Sequence, residues 1–201
     1  MKKINYIICL VAFTGSILHA TAQNKDAAGK DPKQDAQMKA WMTYMTPGPM
    51  HEMLAKSNGD WTEEVTMWMS PGAPPTKSTA SCTNTMILGG RYQESNTKGE
   101  MSGMPFEGMS TVGYDNGRKV FVSTWIDNMG TGIMYMEGKY NEKTNTVSFS
   151  GTAWDSMAGK NSKVRETFKM VDDNNQFIEM YMTGADGKEF KTMEIKFTRK
   201  M

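Results

Sequence analysis

Cysteine and histidine are scarce in this chain. There are two of each, and Cys9 and His19 both fall within the first 22 residues. If that opening segment is cut away, one thiol and one imidazole remain, Cys82 and His51. That excludes an internal disulfide and any two-histidine metal site. Charge of one sign is also lacking: 23 Lys and Arg face 22 Asp and Glu, without the basic excess that a nucleic-acid partner demands. Past position 18 no apolar run is long enough to span a bilayer. Enzyme signatures are missing as well. There is no G-x-S-x-G, His51-Glu52 lacks the second histidine of H-E-x-x-H, and no glycine-rich loop leads into a helix to hold phosphate. A Ser-His-Asp triad would have to rest on His51.

What the N-terminus does have is the three-part pattern of an export signal. Lys2 and Lys3 precede an apolar stretch from Ile4 to Leu18, and Ala20-Thr21-Ala22 supplies the small-x-small cleavage site. Cleavage is expected before Gln23, leaving a periplasmic or extracellular protein with no membrane-spanning segment. The stretch is shorter than the ~20 residues a spanning helix needs. Cys9 follows Tyr6-Ile7-Ile8 rather than a small residue, which speaks against lipidation. Removal of residues 1–22 takes two lysines and no acid, so the balance turns slightly acidic.

Residues 23–37 are polar and read as a flexible leader. Over 38–58 the period is helical. Met38, Trp41, Met42 and Met45 form one stripe, Pro47-Gly48-Pro49 breaks it, and Met50, Met53 and Leu54 form a second short face. Two short helices packing on the domain that follows are expected. From 59 to 201 the pattern is strands: 60–69, 78–87, 91–97, 106–115, 119–126, 131–140, 145–153, 163–171, 176–183 and 189–199. Polar turns separate them, and Asn116-Gly117 suggests a type I′ hairpin. No intervening stretch has room for a crossover helix, so the sheet should be antiparallel with sequential neighbours. The expected fold is all-β: an up-and-down barrel of about ten strands, closed because closure removes exposed edges.

Six segments resemble a known family: HEMLAKSNGDW (51–61), TMWMSPGAPP (66–75), MILGGRY (86–92), MPFEGMSTVGYDN (104–116), STWIDNMGTGIMYMEG (123–138) and GKEFKTMEIKFTRK (187–200). Together they are similar to the uncharacterised bacterial domain-of-unknown-function family 1579. That family looks related to the calycin barrels, which include the lipocalins and fatty-acid-binding proteins. The resemblance carries no catalytic residues. Gly59-Asp60-Trp61 is similar to the lipocalin G-x-W that opens the first strand, and it implies that Arg199, on the last strand, lies over Trp61 and closes the barrel base. Such a pair would gain cation–π energy of ~0.5–2 kcal/mol.

The compositional excess is methionine, 21 residues. Met42, Met45, Met50, His51 and Met53 could form a soft Cu(I) site, since thioethers suit that ion. The plainer reading is packing by a flexible, polarizable side chain. His51 as a haem ligand is awkward, because it sits outside the strands. No cofactor or metal is expected. Cys82 reads as a small buried hydrophobe. On 163–171 the face of Val164, Glu166, Phe168 and Met170 should point inward, and on 189–199 that of Met193, Ile195, Phe197 and Arg199. Glu166, with Trp125, Tyr135 and Tyr181, is expected to line a ligand cavity. The leading reading is a noncatalytic exported barrel that binds a small apolar or amphipathic ligand. The alternatives are an enzyme using inward carboxylates and aromatics, and an envelope protein-interaction module. A barrel filled by its own side chains stays open beside a hollow one.

Overall fold

A computed structural model describes residues 31–184 and 186–201. The signal-peptide reading of residues 1–22 and the leader up to residue 30 lie outside the described residues. Two helices come first, α1 (Pro32–Met45) and α2 (Pro49–Ala55). Ten strands follow: β1 (Gly59–Met67), β2 (Thr76–Ile87), β3 (Tyr92–Met101), β4 (Met104–Asp115), β5 (Val120–Asp127), β6 (Met134–Asn141), β7 (Thr146–Asp155), β8 (Lys160–Asp172), β9 (Asn175–Thr183) and β10 (Glu189–Arg199). Each strand pairs antiparallel with its sequence neighbour, and β1 pairs with β10, so the sheet is a closed ten-stranded up-and-down barrel. Closure satisfies both edges of every strand and leaves no template for further pairing.

Local chemistry sets the element ends. Asp31 accepts from Lys33 N–H at 2.9 Å and Pro32 takes the first helical position of α1, where a missing N–H costs nothing. Pro47-Gly48-Pro49 stops α1 and starts α2, and Gly48 N–H donates to His51 Nδ1 at 3.0 Å. The helix thus begins at Pro32, inside the stretch expected to be a leader. Its stripe does not pack on the barrel either. Trp41 and Met42 remain 58% and 49% exposed, and no α1 residue is buried. A groove of about 480 Å³, bordered by Lys39, Met42, Thr46, Asn116 and Lys119, lies between α1 and the barrel. The Asn116-Gly117 turn also departs from expectation. The positive φ falls on Lys119 (58°) rather than on Asn116 or Gly117, because the connection runs over four residues instead of two. Asn116 is occupied otherwise: its Nδ2 donates to the carbonyls of Tyr44 and Thr46, tethering the end of α1.

Only α2 enters the barrel. Met53 and Leu54 pack with Phe121, Met136, Val147, Phe149, Val164 and Met170 in one buried cluster. The helix is short, so its free carbonyls need partners. Gln93 Nε2 donates to Leu54 O at 2.6 Å, and Trp61 Nε1 and Asn84 Nδ2 both donate to Ser57 O. Gln176 Nε2 completes the ring by donating to Ser57 Oγ. These buried polar groups are partnered, which is why they can sit in the base at all.

The seam between β1 and β10 is pinned at the same end. Trp61 is fully buried and is the register partner of Arg199. The guanidinium lies 4.2 Å from the Trp61 ring. It donates to the carbonyls of Lys56, Asn58 and Asp173. Gly59 has φ +112°, and a Cβ there would stand 3.1 Å from the Arg199 Nη1. Glycine is therefore needed for the turn into β1.

Candidate functional site

Alternation along each strand decides which side chains face the interior, and the pairings carry that choice from strand to strand. Trp61, Cys82 and Thr97 lie on one inner row, and Glu166, Met180 and Met193 on another. The inward residues differ in exposure, and height alone does not sort them. Trp61, Asn84, Gln93, Phe121, Met170 and Gln176 at the base are buried, and so are Thr97, Val164 and Ser162 farther up. Above the base, Val65, Ser95, Ser110, Trp125, Met134, Glu166, Met180 and Met182 keep partial exposure although they point inward. A side chain on the inner wall of a closed barrel keeps accessible surface only where the space beside it is open. α2 fills the base, and the partial exposure of these inward residues marks space that the inner side chains leave unfilled.

Two carboxyls face this interior from the middle of their strands. Glu63 on β1 is 3% exposed, and its carboxylate accepts from Thr97 Oγ1 at 3.2 Å. Burial pushes its pKa up, against the opposing effect of the Thr97 hydrogen bond. Glu166 on β8 has no such partner among the described residues. Burial alone pushes its carboxyl up to about 7. It keeps some accessible surface while enclosed on all sides, which places it against the open space rather than inside packed side chains. Cys82, next to Glu63 on the inner wall, is pushed up to about 12 by burial and then by the neighbouring carboxylate. Its thiol donates to Asn84 Oδ1 at 3.1 Å. It is a packed, unreactive thiol at neutral pH.

Trp125 lines the upper wall on β5. Its indole lies flat over Gly108, where a Cβ would come within 2.3 Å of the ring. Phe106 stacks beside it at 6.3 Å between centroids, and its Nε1 donates to Asp127 Oδ2 at 2.7 Å. Glycine at 108 is what lets the indole sit against the sheet instead of blocking the lumen. Ser162, on β8 two inward positions from Glu166, is 5% exposed, and its Oγ has no hydrogen-bond partner among the described residues.

Of the four residues the sequence nominated for a cavity, Trp125 and Glu166 face inward and Tyr135 and Tyr181 do not. Tyr135 is 46% exposed on the outer face, where its hydroxyl donates to Glu137 at 2.7 Å beside Arg118. Tyr181 lies outside under Arg165, whose guanidinium is 3.9 Å from the ring centroid. Arg165 in turn holds Glu189 by two hydrogen bonds. Both tyrosines alternate with inward methionines, Met134 and Met136 around one and Met180 and Met182 around the other. Glu63 and Ser162 were not nominated. Glu63 shares the parity of Trp61 and Val65, which would have found it, whereas Ser162 precedes the strand as bounded from sequence.

His51 is buried in the base with its ring edge-on to Tyr114 at 6.0 Å. Its Nδ1 is taken by Gly48, and burial holds its pKa below the usual value. It caps α2 and does not face the hollow. Among the described residues no group of three or more His, Cys, Asp or Glu is placed to hold a metal ion.

With this geometry in hand, comparison with known proteins is informative about fold. The family model described as protein of unknown function (DUF1579) matches residues 46–199. No curated protein matches the chain. Among solved structures, Rv2717c from M. tuberculosis is similar with a TM-score of 0.58 at 10% identity, covering 78% of this chain and all of that one. The S-type phycobiliprotein lyase CPES from Guillardia theta is similar with a TM-score of 0.56 at 10% identity, covering 77% of this chain and 94% of that one. At this identity the likeness concerns architecture, a calycin-like ten-stranded barrel, and no residue role follows from it.

Proposed function

The chain belongs to that family of proteins of unknown function, and from this premise we propose that its barrel binds a small, mostly apolar molecule in the hollow above the α2 plug. The observation that carries the reading is Glu166: an inward carboxyl in mid-barrel with no hydrogen-bond partner among the described residues, partly exposed like the inward Met180, Met182 and Trp125. An apolar enclosure with a few convergent polar groups is the usual form of a small-molecule site. An unpartnered polar group there is costly until a ligand supplies the missing partner. We place the binding event outside the cytoplasm, on the export pattern at residues 1–22. No described helix is long and apolar enough to cross a membrane.

The test is fluorescence titration with N-phenyl-1-naphthylamine, an uncharged apolar probe. Saturable binding of one probe per chain is expected. Ser110→Phe, which places a ring in the hollow, should weaken it about tenfold, a loss of ~1.4 kcal/mol. Tyr181→Phe on the outer face should leave it unchanged. Probe binding that is unsaturable, or indifferent to Ser110→Phe, would remove the interior as the site.

A further inference from the structure

We propose that the hollow selects apolar molecules carrying a protonated amine, with the ammonium at Glu166. The inference deepens the binding reading above and rests on it.

The first observation is the one-sided charge of the inner wall. Glu63 and Glu166 reach it from β1 and β8, with β9 and β10 between them. Among the described residues, no lysine or arginine faces the interior between Arg199, which closes the base, and Lys160 at the upper turn of β8. Lys163, Arg165 and Lys169 flank Glu166 in sequence, but alternation turns all three outward. A carboxylate ligand would therefore meet only acids at mid-barrel, and like charges in a desolvated site repel strongly.

The second observation separates the two acids. Glu63 is tied to Thr97 and is almost without accessible surface. Glu166 has no hydrogen bond among the described residues and faces the open space. Burial is the sole cause that raises its pKa, so no buried donor or cation offsets the cost of its charge. A neutral apolar ligand would leave that cost in place. An ammonium would offset it with a charge-assisted hydrogen bond, the stronger kind.

The third observation is independent of charge. Ser162 Oγ is buried, inward and unpartnered among the described residues. It lies four residues from Glu166 along β8, about 13 Å at the strand rise. The wall between them is apolar: Val164 on β8, with Met182 beside it on β9. Val164 is 3% exposed, so Ser162 lies behind packed side chains and Glu166 is the unpartnered polar group that borders the unfilled space.

Calorimetric titration of the chain with decylamine, 1-decanol and decanoate separates the outcomes. Decylamine is expected to bind about tenfold or more tightly than 1-decanol, a difference of ~1.4 kcal/mol, with decanoate weakest. Glu166→Gln should bring decylamine to the level of 1-decanol and leave 1-decanol unchanged. Equal binding of amine and alcohol, or a preference for decanoate, overturns the amine inference while the binding reading stands. No saturable binding of any of the three overturns both. The ligand series on the unaltered chain decides the question even if Glu166→Gln does not fold.

Discussion

At the scale of single residues, Glu166 links stability to pH in a direction fixed by its surroundings. Its pKa is raised from 4.5 to about 7 by burial. The folded chain therefore holds a proton that the unfolded chain has already released across that interval. Stability from this group is fully present below the unfolded pKa and is lost as pH rises through the folded one. Glu166→Gln should therefore be more stable than the parent at pH 8, by at most about 3 kcal/mol, and nearly equal to it at pH 4.5. Urea unfolding of both chains across this range measures it. Glu63 is shifted in the same direction, so the variant should keep a residual slope. A parent that gains stability between pH 5 and 8, with Glu166→Gln unchanged, would contradict the burial of this carboxyl. Glu166 could be placed from sequence because Val164, Phe168 and Met170 share its parity and all are apolar. Tyr135 and Tyr181 could not, since β6 and β9 carry apolar residues on both faces. Which face turned inward was settled by pairing, with Met134 opposite Trp125 and Met180 opposite Glu166.

At the scale of elements, the two helices show how far a periodic pattern reaches. Both have apolar residues at helical spacing, yet α2 buries His51, Met53 and Leu54 whereas α1 buries nothing. Periodicity reports that a helix has an apolar face; it does not report what meets that face. The difference comes from the base ring. Gln93, Asn84, Trp61 and Gln176 receive the end of α2 through Leu54 and Ser57, and among the described residues no equivalent set waits for α1 beyond Asn116. Deleting residues 23–45 should accordingly change the unfolding free energy by less than about 1 kcal/mol. Leu54→Ala should cost about 2–5 kcal/mol. Chemical denaturation of the two variants gives the comparison, and a deletion as costly as Leu54→Ala would mean that α1 supports the barrel. The strands were easier to read than the helices, since turn residues mark their ends and alternation marks their faces. Of the two irregularities, the one at Met170/Asp172 adjoins a polar turn and the one at Lys191/Met193 lies within β10, and neither carries a separate signature.

At the scale of the whole molecule, closure makes opening a collective event. A barrel has no edge strand to fray, so an inner group near the base is reached only when strands separate. The seam between β1 and β10 is held by Trp61 under Arg199, with the arginine bound to three carbonyls from two different connections. Cys82 reports on that seam. It faces inward on β2 as the register partner of Trp61, it is 4% exposed, and its thiol is pushed up to about 12. In a chain lacking residues 1–22 it is the lone cysteine. Its reaction with a thiol reagent at pH 8 should be silent in the native state and proceed through opening. If opening is collective, the labelling rate will rise with urea along the slope of global unfolding, because the surface exposed is the same. A shallower slope would mean that β1 and β10 part locally while the rest of the barrel persists. Repeating the measurement with a bound ligand separates the halves of the molecule. A ligand in the hollow stabilises only the state that holds it, so it slows labelling if opening empties the hollow. If the base opens alone, labelling continues at its original rate.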